Sequence, residues 1–350
     1  MQASTDMQAT THTQASTDVQ PKRHYPHGRR CRIGLIVLLL AGAWQARLGA
    51  QAQDYPTREI RMVNGYSAGA GADVVSRIFA KHLEEALGKP VIVENKPGAF
   101  TNIAAGAVAH AKPDGYTMFF AGHSAIATNI HLFKSLPFHP VKDFIAVAPG
   151  GKIGFGFAVG AQSPVRSMAE LTAYLKAKGD KASYASANAF SLASTELYKF
   201  ITGAPGVAVP YKNSGDALND LVRGEVDFMV YDLGTLAQQE EGGRLRVLAV
   251  STAERSAIHS HVPGMREAGI PDFDLSAWFG LWLPANSPPE AVAQLSRAMN
   301  KIWDNDEKRR ALATMSVEPF TASPAEFTQF EIKEMEKWGR VISIARIEPQ

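Results

Sequence analysis

Four short stretches of the 350-residue chain combine small residues with hydroxyl, amide or ring side chains: NGYSAGAGAD (64–73), AGHSAIATN (121–129), YASANAFSLASTEL (184–197) and PYKNSGDALNDL (210–221). In each, an apolar run that reads as a strand ends and a small polar loop follows; in the first, third and fourth a helical pattern then begins. A helix N-terminus carries free N–H groups and about half a positive charge, so it favours an anion without help from arginine. The candidate contacts are Tyr66, Ser67, Ala68 and Gly69, then His123 and Ser124, then Ser186, Asn188 and Ser191, and finally Lys212. Asp232 closes a further strand and completes the set. Taken singly, Ser, Asn and Asp at such places are ordinary helix caps. Four such loops at four strand ends exceed what capping requires.

Nucleotide phosphate is the wrong anion. Gly65, Gly69 and Gly71 do not make G-x-G-x-x-G, and no G-x-x-x-x-G-K-[ST] occurs. Catalytic patterns are equally thin. His82, His110, His123, His131, His139, His259 and His261 are scattered, with no H-E-x-x-H and no G-x-S-x-G. His259 and His261 read as solvated loop residues, and EEGGRLR as a solvated turn. Asp73 reads as the anchor of its own loop, accepting N–H bonds. The sequence therefore predicts a binding site with no metal, no cofactor and no chemistry of its own. A periplasmic enzyme would need a nucleophile–base pair that these motifs do not supply.

The first fifty residues stand apart from this pattern. A polar segment is followed by Lys22, Arg23, Arg29, Arg30 and Arg32, then by the apolar run IGLIVLLLAGAW (33–44) and Ala50-Gln51-Ala52. Basic region, short apolar core and A-x-A site read as a cleaved export signal over 1–52. Twelve apolar residues fall short of the roughly 20 a membrane span needs. Removing 1–52 takes away six Lys/Arg and two Asp/Glu, which leaves 30 basic and 32 acidic residues and a net charge of −2. That balance offers no surface for nucleic acid. The only cysteine, Cys31, leaves with the signal. A cysteine-free exported chain suits a bacterial periplasm.

The loops need a scaffold, and the rest of the chain supplies one. Strands are expected at 60–63, 91–94, 117–121, 182–185, 207–210, 226–230 and 245–251, with helices at 74–87, 103–111, 167–178, from 191, and at 217–222. This alternation is the βαβ signature of a parallel sheet. Two extended stretches interrupt it, Phe144–Val159 with Gly150, Gly151, Gly154 and Gly156, and SAWFGLWLP (276–284). Helices at 289–303 and 324–344 follow. Two α/β lobes joined by crossing strands are expected: a first lobe over 53–153, a second over 154–276, and a return to the first over 277–350. Each lobe should hold a mostly parallel sheet flanked by helices, the glycines of the first crossing should absorb rotation, and Trp278 and Trp282 should lie at the second.

The segments YPTREIRMVNGYSAGAGADVVSRIFAKHLEEALGKPVIVENKPGA, AKPDGYTM, SLPFHPVKDFIAVA, VPYKNSGDALNDLVRGEVD, GRLRVLAVSTAERS and VPGMREAGIPDFDLSAWFGLWLPANSPPEAV resemble the substrate-binding proteins of tripartite tricarboxylate transporters, of the Bordetella-uptake-gene type. The resemblance runs through the whole mature chain. It implies a monomeric, periplasmic type II binding protein of Venus-flytrap shape that delivers a small carboxylate to a membrane permease. A ligand-presenting role toward a sensor kinase is the alternative. It also implies that backbone N–H groups hold the carboxylate, on loops containing Ser67, Ala68 and Gly69 in one lobe and Ser186, Asn188 and Ser191 in the other. The loop motifs depart from the family pattern. Residues 66–73 lack its two prolines, and residues 185–191 lose three glycines and bring in Phe190, which suggests an aromatic carboxylate stacked on Tyr66 or Phe190.

Overall fold

β1 (Ile60–Asn64) alternates its side chains between two buried layers, and the sequence shows why. Ile60 and Met62 enter one apolar cluster with Val75, Phe79 and Leu83, while Val63 enters another with Phe119, Trp282 and Trp338. Period-two alternation puts Ile60 and Met62 on one buried face, and Val63 on the other, where Arg61 at the start of the strand stays exposed. The computed structural model describes residues 55–211 and 214–349. The expected export signal, Lys212 and Asn213 lie outside the described residues.

The elements of the first sheet are β1, α1 (Gly71–Leu87), β2 (Val91–Asn95), α2 (Asn102–Ala109), β3 (Thr117–Gly122), α3 (Asn129–Leu132) and β4 (Phe144–Ile153). The chain then crosses through Gly154 into β5 (Phe155–Gly160), α4 (Met168–Lys178), β6 (Ser183–Ser186), α5 (Ala189–Thr202), β7 (Val207–Pro210), α6 (Ser214–Arg223), β8 (Phe228–Asp232), α7 (Leu233–Glu241) and β9 (Leu245–Val250). A second crossing leads into β10 (Ala277–Pro284), α8 (Pro289–Asn300), α9 (Asp306–Ala313), β11 (Val317–Glu318) and α10 (Pro324–Ile344). The two sheets have the orders β11-β4-β10-β3-β1-β2 and β7-β6-β8-β5-β9.

Both sheets are mixed. The βαβ units give the parallel pairs β1–β2, β1–β3, β6–β7 and β6–β8. The long crossing strands run the other way, so β10 pairs antiparallel with β3 and β4, and β5 with β8 and β9. Expecting mostly parallel sheets from the alternation alone overlooked these central strands, whose direction a crossing reverses.

The crossings also fix which edges face each other. Asn64, Gly122 and Ile153 end strands at the same edge of the first sheet, where β10 begins at Ala277 opposite Ile153. In the second sheet Ser186, Pro210 and Asp232 end strands beside Phe155, where β5 begins opposite Asp232. All four loops therefore leave the carboxyl edges that meet at the crossings, the usual place for a ligand in an open α/β sheet.

Two expectations about the crossings need correcting. A Cβ on Gly150 would lie 2.9 Å from the Phe120 ring, and one on Gly151 would lie 2.5 Å from Val317 Cγ1. These glycines permit close packing inside β4, and only Gly154 stands between the two strands. Trp278 and Trp282 are core residues of β10, with indole N–H groups donating to Glu334 (3.1 Å) and Glu331 (2.6 Å) of α10. They are pinned within the first sheet rather than placed at a joint.

Candidate functional site

The first loop hangs on two buried side chains. Asn64 donates to Asp73 Oδ1 at 3.0 Å and Ser76 Oγ at 2.7 Å. Its own oxygen accepts from the Tyr66 N–H at 3.1 Å and from Asn95 Nδ2 at 2.9 Å. Asp73 accepts from the Gly69 N–H (2.8 Å), Arg77 Nε (2.9 Å) and Asn95 Nδ2 (2.7 Å). Burial alone would raise the Asp73 carboxyl. The bonds from Arg77, Asn95, Gly69 and Asn64 outweigh it and hold the group well below the usual carboxylate range. Asp73 faces its own loop, and its charge is spent there.

What the loop exposes is backbone. Ser67, Ala68, Gly69, Ala70 and Gly71 are all exposed. The N-cap of α1 is Ala70, in extended conformation and without a side-chain cap. An uncapped N-terminus leaves first-turn N–H groups to be satisfied from outside the helix. Tyr66 turns inward, and its hydroxyl accepts the Gly122 N–H at 2.7 Å. Burial pushes the phenol up to about 12, so it stays neutral and keeps its own hydrogen to donate. This bond ties the first loop to the second.

In the second loop, the His123 N–H donates to the Trp278 carbonyl at 2.8 Å. A short π-helical turn, Ser124–Thr128, follows, a form often found at functional sites. Ser124 is half-buried. The His123 ring stacks on Trp338 at 5.0 Å and 29°. Burial, with a smaller push from Lys337, lowers the imidazole to about 3. His123 is thus a neutral aromatic surface and not a cation for a carboxylate.

The second-lobe residues divide in two. Ser186 ends β6, half-buried, with its carbonyl accepting the Tyr211 N–H at 2.9 Å. Asn188 caps α5, its oxygen accepting the Ser191 N–H at 2.8 Å, and the Ser191 hydroxyl points back to the Ala185 carbonyl at 3.4 Å. Asp232 caps α7 through bonds from the Thr235 N–H (2.9 Å) and Thr235 Oγ1 (3.0 Å). Asn188 and Asp232 therefore spend side-chain oxygens on their own helix ends and Ser191 spends its hydroxyl on β6, whereas α1 has no side-chain cap.

Phe190 is the residue that joins the two loop sets. Its ring stacks on Phe155 at 3.7 Å and touches Trp338 (5.3 Å) and His123 (6.0 Å). With 8% of it exposed, the ring has little face left for an aromatic ligand, and Tyr66 is likewise held inward. The structure gives no support to the stacked aromatic carboxylate suggested by the sequence. Sequence reasoning also missed Phe155 and Trp338, which carry no motif and gain meaning only from the fold. Among the described residues, seven buried side-chain atoms lack a hydrogen-bond partner, among them Thr101 Oγ1, Thr128 Oγ1, Asn129 Oδ1, Ser194 Oγ, Thr195 Oγ1 and Trp338 Nε1. A cavity of about 830 Å³, lined by Ile145, Val292, Arg297 and Pro324 among others, opens at the far edge of the first sheet, away from these loops.

The sequence model of the tripartite tricarboxylate transporter family receptor, TctC, matches residues 75–346. The chain belongs to the TctC receptor family. BugT of Bordetella pertussis is 31% identical over 294 residues, covering 83% of this chain and 90% of BugT. The solved structure of Rpa4515 from R. palustris with adipate is 31% identical, with a TM-score of 0.74, covering 85% of this chain and all of the other. MatC from Rhodopseudomonas palustris with bound malate is 29% identical, with a TM-score of 0.68, covering 82% of this chain and all of MatC. The two-sheet fold is thus that of TctC receptors. No helix among the described residues is long and apolar enough to cross a membrane.

Proposed function

We propose that this TctC receptor captures a small carboxylate in the cleft between its lobes, in the periplasm, and delivers it to the membrane permease of a tripartite tricarboxylate-type transporter. The observation that carries the reading is α1, whose uncapped N-terminus opens from an exposed loop of small residues that Asn64 and Asp73 hold rigid. A fixed row of N–H groups at the positive end of a helix dipole suits a carboxylate. Two structural neighbours are described with adipate and with malate, both carboxylates. In this reading Tyr66, Ser67, Ala68 and Gly69 hold the anion from one side and Ser186 from the other. Asn188 and Ser191 shape the second loop.

A thermal-shift screen over small carboxylates tests the reading, because a ligand at 100 times its Kd adds about 2.7 kcal/mol to stability. A library without a stabilising acid would refute it. With a ligand in hand, calorimetry locates the affinity. Ser186→Asp should place a like charge against the carboxylate and cost several kcal/mol. Lys212→Met should cost only about 0–1 kcal/mol. The reverse order would replace the helix-terminus mechanism with a lysine-anchored one.

A further inference from the structure

Phe190 sits in the first turn of α5, on the loop that the proposed carboxylate site uses, yet it is an apolar ring and almost wholly buried. Phe155, from the start of β5, lies against it at 3.7 Å and 23°. Its other ring neighbours come from the opposite lobe: Trp338 at 5.3 Å and 58°, and His123 at 6.0 Å and 87°. The ring thus fills the gap between the end of the second sheet and α10. Behind it, one turn along the same face of α5, stands Ser194, fully buried with an unpartnered hydroxyl. The Trp338 ring packs on it, and the indole N–H of Trp338 is likewise unpartnered and sealed from solvent. A ligand chain growing from the carboxylate loops toward α10 meets a ring that can accept no hydrogen bond from it, and the polar atoms able to receive its far end lie behind that ring.

We propose that Phe190 is the specificity-determining residue of the cleft: it blocks the α10 side of the site and restricts the ligand to a short-chain carboxylate without a ring. The claim rests on the carboxylate-binding reading above. A longer dicarboxylate would have to bury its second anionic group against Phe190 and Trp338, which is costly without hydrogen bonds, or displace the ring and lose its stacking. Removing the ring opens a hole walled partly by Ser194 Oγ and Trp338 Nε1, both suited to a distal carboxylate.

The test compares the wild type with Phe190→Ala, and with Phe190→Leu should the alanine variant melt too early, using malate, adipate and toluene as probes. Calorimetry should find that the wild type prefers malate, and that Phe190→Ala shifts the ratio toward adipate by about tenfold or more, the scale of one or two buried methylenes. An unchanged ratio, or a wild type that holds adipate as tightly as malate, overturns the proposal. The toluene arm needs no carboxylate, since a dry cavity left by a ring takes up such a molecule. Toluene should raise the melting temperature of Phe190→Ala and not of the wild type, and equal shifts would also overturn the proposal. Should toluene behave as expected while neither protein binds either acid, the occluding ring stands and the carboxylate reading falls.

Discussion

Asp73 and Glu331 are both buried carboxyls, and their surroundings push them in opposite directions. Asp73 collects four donors. Burial raises Glu331 to about 8, against a smaller lowering by the Trp282 N–H. A carboxyl raised in this way keeps its proton in the folded state while the unfolded chain has lost it. Stability therefore falls as pH rises from the ordinary carboxylate range to about 8, and levels off above. Glu331→Gln keeps an oxygen for Trp282 and removes the titration. The variant should exceed the wild type in stability at pH 8 by on the order of 2–4 kcal/mol, with the two converging near pH 5. Urea melts across that range measure it, and parallel pH profiles would refute it. Such a residue has no signature in the sequence, where EFTQFEIKEMEKW reads as an amphipathic helix. Only the fold reveals that Glu331 and Glu334 point at the tryptophans of β10.

The elements tell a similar story of what residue patterns do and do not record. Strand ends followed by small residues placed all four loops correctly, because βαβ alternation and glycine-rich turns are local properties. The helix α7 was hidden by Gly234 and the polar run QQEE, and β11 by its two-residue length. Whether Asn188 and Ser191 hold a ligand or cap their own helix is equally silent in sequence, since both uses select the same side chains. A further surprise is Ala99, Phe100 and Thr101, three successive non-glycine residues with φ of 45°, 52° and 74°. Left-handed backbone costs such residues about 1–2 kcal/mol each. The turn drives Thr101 against Gly65, where an added Cβ would fall 2.4 Å from Thr101 Cβ. Gly65→Ala should therefore cost about 1–3 kcal/mol of stability. At Gly71 the nearest atom to an added Cβ is Met315 Cε at 3.4 Å, so Gly71→Ala should be close to neutral. Denaturant melts of the pair decide it, with equal losses speaking against the steric account.

At the scale of the molecule, one buried apolar cluster runs through both sheets, from Val63, Phe119 and Trp282 to Phe157, Phe190 and Phe228, and specific contacts cross the junction between the sheets. Phe190 meets His123 and Trp338, the Ser256 hydroxyl donates to Glu318, and His259 Nε2 lies 3.0 Å from Ser316 Oγ. Hinge closure of this kind is common in periplasmic binding proteins, and Gly154 is the short joint between β4 and β5. A saturating carboxylate should contract the solution scattering profile, and Trp338, at the junction, should change its fluorescence more than Trp282 in the core of β10. Profiles that coincide with and without ligand would count against closure.

The place of β10 has a consequence for how this molecule comes into being. In the first sheet β10 lies between β3 and β4, yet more than 120 residues separate Phe144–Ile153 from Ala277–Pro284. Until that late strand arrives, β3 and β4 have no partner between them, and β11 and the covering helices α8, α9 and α10 are still to come. Pairings of such long sequence separation are slow to form, and open strand edges invite aggregation in the meantime. The second sheet, by contrast, is one unbroken run from β5 to β9 and can assemble as soon as it is made. The lobe with the more exposed carboxylate loop is thus the last to close, and a chain cut short before residue 277 would leave that sheet without its centre.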